Sequence, residues 1–287
     1  MSGPDLTGKH VAITGGARGI GAATARALAG CGARISIGDL DADLAAGTAA
    51  AIAEAGGTAE ALKLDVTDRD SFEAFLATAE AGLGPLDVLI NNAGIMPTGA
   101  FLDESDAVTD RQIDINIRGV VLGSKLAGRR FVDRGAGQIV NIASMAGISA
   151  FPGVAVYCAT KHAVVGLGSA LRQELEPHGV VVTTVAPSFV NTELIAGMTP
   201  NWLTRKLGLI EPETVAAAIA RAIDRRRAGV RVVPALGGNI VRTLMPLPEN
   251  VRNALSNSLG LQAATSNFDP AVRAAYRART ETTPDQR

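Results

Sequence analysis

The 287-residue sequence predicts an α/β protein: a parallel sheet of about seven strands with helices on both faces. Three observations carry this. Short apolar runs alternate with helical stretches, which implies crossover connections and a sheet covered on both sides. A glycine-rich turn, Thr14-Gly15-Gly16-Ala17-Arg18-Gly19-Ile20-Gly21, separates the first run from the first helical stretch. Asp39, Asp65, Asn91 and Ser144 stand at the carboxyl ends of the runs, where open α/β sheets gather their ligands.

The expected strands are residues 10–14, 33–39, 59–64, 86–91, 137–143, 179–185 and 229–234. The first carries Val11 and Ile13 in a short apolar run, the pattern of a buried parallel strand. After the glycine turn, Ala22 to Leu28 is a strong helix former. Strand, glycine turn and helix N-terminus together make a phosphate site. Glycines let the backbone approach a pyrophosphate, and the helix's free N–H groups and dipole favour its charge. The second run ends at Asp39, about 20 residues after the turn, where a carboxylate holds a ribose 2′-hydroxyl. Phe72, Phe75, Leu76 and Ala79 form an i, i+3, i+4, i+7 stripe, and Val215, Ile219 and Ile223 recur at steps of four. Pro212 belongs in the first turn of that later helix.

Tyr157 and Lys161, thirteen and seventeen residues beyond Ser144, are the chemical centre of the sequence. Residues i and i+4 share a helix face, so phenol and ammonium point into one small volume. A free phenol has a pKa near about 10 and is a poor base at neutral pH. A fixed ammonium beside it is expected to lower that value. Asn116 lies within a helical stretch, where asparagine is a poor helix former and implies a local kink. His162 adjoins Lys161 but faces elsewhere, and His10 and His178 have no ligand spacing, so no metal is expected.

These motifs resemble the single-domain short-chain dehydrogenases/reductases over roughly residues 7 to 235. The match comprises Thr-Gly-x-x-x-Gly-x-Gly (Thr14 to Gly21), Asn91-Asn92-Ala93-Gly94, Asn116, Ser144, Tyr157-x-x-x-Lys161, and Pro187 with Thr192. Ser188 stands where the family usually has glycine. The resemblance implies a Rossmann-type, doubly wound sheet and one catalytic domain, with residues 236–287 as an extension shaping a substrate pocket or an interface. It implies that Asn116, Ser144, Tyr157 and Lys161 are catalytic, with Asn116 holding a water that relays protons. Cofactor contacts are implied for Gly15, Arg18, Gly19, Ile20, Gly21, Asp39, Leu40, Asp65, Val66, Asn92, Ala93 and Gly94. Tyr157, Lys161, Pro187, Val190 and Thr192 complete that set.

NAD(H) is expected over NADP(H). Asp39 would accept from ribose hydroxyls and repel a 2′-phosphate, whereas Arg18 pulls the other way. Leu40 follows Asp39, and no basic residue lies close behind. Apolar segments around Ile95-Met96-Pro97, Ala150-Phe151-Pro152 and Leu194 to Met198 predict a mostly apolar secondary alcohol or ketone as substrate. Trp202, Leu203 and Leu207, interrupted by Pro200, extend that lid, and Leu244, Met245, Leu247 and Leu259 floor the pocket or pack at an interface. A nicotinamide-binding redox sensor without turnover is the alternative of another class. A nucleotide-sugar epimerase or dehydratase is a third reading.

Composition sets the remaining bounds. The chain is 47% hydrophobic and 19% charged with a net charge of −1, which gives no sign of nucleic-acid or anionic-membrane binding. Two cysteines, Cys31 and Cys158, suggest a reducing compartment, and no apolar run reaches a membrane span or a signal peptide. A cytoplasmic protein is expected. Gly166 and Gly168 inside one long helix point to close approach of another helix in a homodimer or homotetramer, or to packing on the chain's own sheet.

Overall fold

The computed structural model describes residues 3–198, 209–235, 239, 243, 244, 246–248, 250, 251, 254 and 268–281. Pro200, Trp202, Leu203, Leu207, Met245 and Leu259 lie outside the described residues. The chain runs β1 (His10–Thr14), α1 (Gly19–Gly30), β2 (Arg34–Asp39), α2 (Ala42–Glu54), β3 (Thr58–Lys63), α3 (Arg69–Leu83) and β4 (Val88–Asn91). It continues through α4 (Asp106–Ile113), a π turn (Asp114–Arg118), α5 (Gly119–Arg134), β5 (Gly137–Ile142), α6 (Ala155–Leu175) and β6 (Val180–Pro187). Two short strands follow, β7 (Phe189–Val190) and β8 (Leu209–Ile210), then α7 (Pro212–Asp224), β9 (Gly229–Val233) and α8 (Pro270–Glu281).

Seven strands form one sheet in the order β3-β2-β1-β4-β5-β6-β9, every neighbouring pair parallel. This is the Rossmann-like arrangement expected from the sequence. Strand order reverses between β1 and β4, so the crevice at their carboxyl ends is the switch point at which ligands bind.

Alternation along the central strands fills two apolar layers. Val11, Ile13, Val88 and Ile90 face α1 and α7, meeting Ala25, Leu28, Val215, Ile219 and Ile223. Ala12 and Leu89 face the other side, with Phe72, Phe75, Leu76, Leu126 and Phe131. Both predicted helical stripes are therefore core faces. Covered on two sides, β1, β4 and β5 are buried along their whole lengths. No helix among the described residues is long and apolar enough to cross a membrane.

Local chemistry sets the element ends. Asp41 accepts from Leu44 N–H to cap α2, Asp68 accepts from Ser71 N–H to cap α3, and Pro212 begins α7. The fourth strand starts at Val88, later than expected, and just before it the Asp87 carboxylate accepts from His10 N–H at 2.9 Å and from Lys9 Nζ at 3.2 Å.

Candidate active site

The glycine turn forms a cradle at the switch point. Gly15 has φ +63°, and a Cβ there would lie 2.8 Å from Ala93 Cα. A Cβ on Gly21 would lie 2.1 Å from the Gly15 carbonyl oxygen and 2.7 Å from Asn92 Nδ2. These contacts bring the turn against the end of β4. Thr14 Oγ1 accepts from the N–H groups of Asn92 (3.0 Å) and Ala93 (3.1 Å), while Asn92 Nδ2 donates to the carbonyls of Thr14 and Gly15. No side chain caps the start of α1, and its first turn holds no acid. An uncapped helix N-terminus behind a glycine-rich turn fits a dinucleotide's pyrophosphate. Half-buried Ile20 packs on the core behind the turn. On the open side a Cβ on Gly19 would lie 3.4 Å from Thr192 Cγ2, so Thr192 flanks the cradle. Pro187 and Val190 are buried at the end of β6 and in β7.

Asp39 ends β2 beside this cradle. Its carboxylate accepts from Ala17 N–H (3.0 Å) and Asp41 N–H (3.1 Å), so it also fixes the shape of the turn. Arg18 is held by Asp41 (2.7 Å) and Glu193 (3.4 Å), a pairing the sequence reading missed. Leu40, half-buried, follows Asp39. Asp65 forms a local turn, accepting from Thr67 N–H and Oγ1, with buried Val66 next to it.

Ser144, Tyr157, Lys161 and Asn116 come together beyond the cradle. Tyr157 and Lys161 are 5% and 4% exposed, on one face of α6, with Nζ 5.6 Å from the phenol ring centroid. Ser144 lies near enough to the phenol to pull its pKa down, and its Oγ accepts from Ala146 N–H at 3.1 Å to cap a short turn. Lys161 Nζ donates to the Ile142 carbonyl at 2.9 Å. A Cβ on Gly94 would lie 3.2 Å from Asn116 Oδ1 and 3.4 Å from Lys161 Nζ, so these three groups converge.

Asn116 sits in the π turn Asp114–Arg118, the kink its sequence context predicts. Its side chain accepts from Ile95 N–H (2.9 Å) and donates to the Ile95 carbonyl (2.9 Å) and Thr160 Oγ1 (3.1 Å). It therefore ties the loop after β4 to α6. Asn91 Nδ2 bridges to Asn141 Oδ1 (2.9 Å) and Ser124 Oγ (3.2 Å) at the sheet centre.

The electrostatics correct one expectation. Burial pushes the Tyr157 phenol well above its ordinary value, opposed by the Ser144 hydrogen bond and reinforced by Tyr276 and Cys158. Lys161 is lowered to about 8, also by burial. Both groups move toward their neutral forms because burial takes each out of water. The phenol is thus raised by burial in this structure, where a lowering was expected.

Ser188, in place of the usual glycine, has no positive φ, and its N–H donates to the Val233 carbonyl at 2.8 Å. Serine is therefore unstrained there. His162 is exposed and its Nδ1 pairs with the Cys158 carbonyl, away from the site. Among the described residues no His/Cys/Asp/Glu group could hold a metal ion.

The wall around Tyr157 is apolar: Met96, Ala146, Val154, Tyr157 and Cys158 pack with Phe151, Leu194, Ile195 and Met198. Two residues of α8 reach it unforeseen. Tyr276 Oη accepts from Met96 N–H at 2.8 Å, and Arg273 Nη1 donates to the Leu194 carbonyl at 2.6 Å. No motif or spacing marks them.

A model of the family described as short chain dehydrogenase matches residues 9–201. "Probable oxidoreductase EphD" of Mycobacterium tuberculosis is 36% identical over 241 residues, covering 78% of this chain and 41% of that protein. The chain thus spans about two fifths of EphD's length. "2,5-dichloro-2,5-cyclohexadiene-1,4-diol dehydrogenase LinX" of Sphingobium indicum is 40% identical over 205 residues, 71% of this chain and 82% of that one. The crystal structure of a short-chain type dehydrogenase/reductase from Mycobacterium marinum superposes with a TM-score of 0.72 at 32% identity, covering 80% and 95% of the two chains. With this sheet, this cradle and these matches, the chain belongs to the short-chain dehydrogenase family.

Proposed function

We propose that this chain is an oxidoreductase that moves a hydride between NAD(H) and a mostly apolar secondary alcohol or its ketone. The observation that carries this is the buried Tyr157–Lys161 pair with half-buried Ser144 beside it, next to an uncapped glycine cradle at the switch point. When bound, the nicotinamide accepts or gives the hydride. The chain's own residues position the substrate and move the proton. Tyr157 takes the hydroxyl proton in oxidation and returns it in reduction. Ser144 steadies the substrate oxygen. Lys161 holds the nicotinamide ribose and supplies positive charge beneath the phenol. Asn116 fixes Ile95 and α6 in register at the mouth of a proton path to Lys161.

Burial keeps the phenol protonated at neutral pH. Reduction therefore uses Tyr157 in its resting form, and oxidation speeds as pH rises. The NAD(H) preference rests on Asp39 at the end of β2 and on Arg18, already held by Asp41 and Glu193. The apolar lining supports an apolar substrate, and LinX, by its name, acts on a cyclic diol. Steady-state assays with NAD(H) and NADP(H) against alicyclic alcohols, long-chain alcohols and polyols test the reading. Faster turnover of polyols overturns the apolar cleft, and cofactor binding with no turnover favours a redox sensor.

Residues 1–287 are proposed to work as one cytoplasmic catalytic unit. Gly168 packs on Thr184 of the chain's own sheet, but Gly166 is exposed with nothing near its missing Cβ. The open Gly166 supports a homodimer or homotetramer built across α6.

A further inference from the structure

The substrate-side wall is assembled from three parts of the chain far apart in sequence. Ile95–Thr98 follows β4, Glu193–Met198 follows β7, and α8 comes after both. The first two bring Met96, Leu194, Ile195 and Met198 to the apolar cluster around Tyr157. Neither segment belongs to a strand of the main sheet, so the sheet itself does not fix their separation.

α8 joins them. Arg273 is 1% exposed. Its Nη1 donates to the carbonyls of Leu194 (2.6 Å) and Ala196 (3.3 Å), and its Nη2 to the Met96 carbonyl. The planar guanidinium thus bridges both segments with a rigid fork. Tyr276, 8% exposed, accepts from Met96 N–H at 2.8 Å. The two side chains stack, with the guanidinium carbon 4.3 Å from the phenol centroid. Met96 is therefore held at both its N–H and its carbonyl by residues about 180 positions later. The helix start is itself anchored: Asp269 N–H donates to the Gly197 carbonyl at 2.8 Å, and Met198 bridges Phe268.

We propose that Arg273 and Tyr276 are positioning residues that set the substrate specificity of the cleft, clasping the Met96 and Leu194–Ala196 segments at the separation a bulky apolar alcohol requires. This rests on the functional reading above and gives the C-terminal helix a role within it. Both terminal nitrogens of Arg273 donate to wall carbonyls, so the residue ties the two wall segments together. Tyr276 also adds to the upward pressure on the Tyr157 phenol, which places it close to the proton carrier.

The test uses the full chain with Tyr276→Phe, Arg273→Lys and the double variant. Tyr276→Phe keeps the stacked ring and removes the acceptor from Met96. Losing a hydrogen bond of ordinary strength should raise KM for cyclohexanol by about three- to ten-fold. NAD+ affinity should be unchanged and kcat should change less than KM. Arg273→Lys, which cannot bridge both segments, should raise KM further. The double variant should fall short of the product of the singles, because both act on Met96. Unchanged KM in both single variants, or equal losses in KM and cofactor affinity, overturns the inference.

Hydrogen exchange keeps the test independent of turnover. Met96 N–H should be protected in the wild type and exchange faster in Tyr276→Phe, and adding cyclohexanol should protect residues 194–196 less in the variant. If the wild type turns nothing over, the functional reading fails by itself and exchange alone decides the clasp. Equal exchange in wild type and variant, with and without cyclohexanol, overturns it.

Discussion

Replacing Lys161 by methionine should abolish turnover yet leave the fold as stable as the wild type or more so. The ammonium is 4% exposed and its pKa falls from 10.5 to about 8 through burial. At about 1.36 kcal/mol per pH unit, that is a penalty of about 3 kcal/mol for carrying the charge into the fold. Opposing it, the Ile142 carbonyl loses a donor at 2.9 Å, a loss of about 1–3 kcal/mol. The two terms nearly cancel at neutral pH, so the pH dependence is the discriminating observable. Below about pH 8 the folded and unfolded chains both carry the ammonium, and the penalty is complete. Between about pH 8 and 10.5 the unfolded chain binds more protons than the folded one, so the wild type gains stability as pH rises. The methionine side chain has nothing to titrate. Urea unfolding of both proteins at about pH 7, 8 and 9, followed by circular dichroism, gives the difference in unfolding free energy. Contributions of Tyr157, Cys31 and Cys158 are common to both proteins and drop out. The methionine variant's advantage should shrink by about 1 kcal/mol per pH unit above about pH 8. A difference independent of pH refutes the reasoning.

Asp39→Ser should narrow the preference for NAD(H) by about ten-fold or more, the value of hydrogen bonds to a charged group, and equal kcat/KM for both cofactors in the wild type refutes the preference. Gly21→Ala forces a Cβ to within 2.1 Å of the Gly15 carbonyl oxygen. It should weaken NAD+ binding by titration calorimetry far more than a thermal melt registers elsewhere in the fold, and unchanged affinity would remove the cradle from the site. His10 is fully buried between Gly84 O and Ser36 Oγ, and burial, with Arg34, lowers its pKa against the pull of Gly84, Glu60 and Asp87. The unfolded chain then binds the extra proton more readily, so stability is lost as pH falls through about 6.5. His10→Gln should flatten this acid limb, and equal losses between about pH 7.5 and 5.5 in both proteins would contradict it.

The sheet was legible because its signals are local. Val11, Ile13 and the Phe72–Ala79 stripe follow from side-chain period and burial, and the structure places them in the core. The glycine turn, Tyr157 and Lys161 were legible because their spacing fixes their geometry on one turn or one helix face. Asn116 announced its kink by being a poor helix former, but its bonds to Ile95 and Thr160 needed the folded chain. Three features were hidden. The pKa balance of Tyr157 depends on burial depth, which spacing does not encode. Asp41 joins Arg18 only because the turn after β2 folds back on the cradle. The clasp from Arg273 and Tyr276 is a contact across about 180 residues with no periodic or compositional trace.

The most direct test of the account is Tyr157→Phe, assayed for turnover and for cofactor binding on the same preparation. Phenylalanine keeps the ring that packs beside Met96, Ala146 and Val154 and removes only the hydroxyl. The account predicts NAD+ affinity within about two-fold of the wild type and turnover reduced by about 10²–10⁴-fold, the contribution of a positioned proton carrier. Substantial turnover retained in the variant would contradict it.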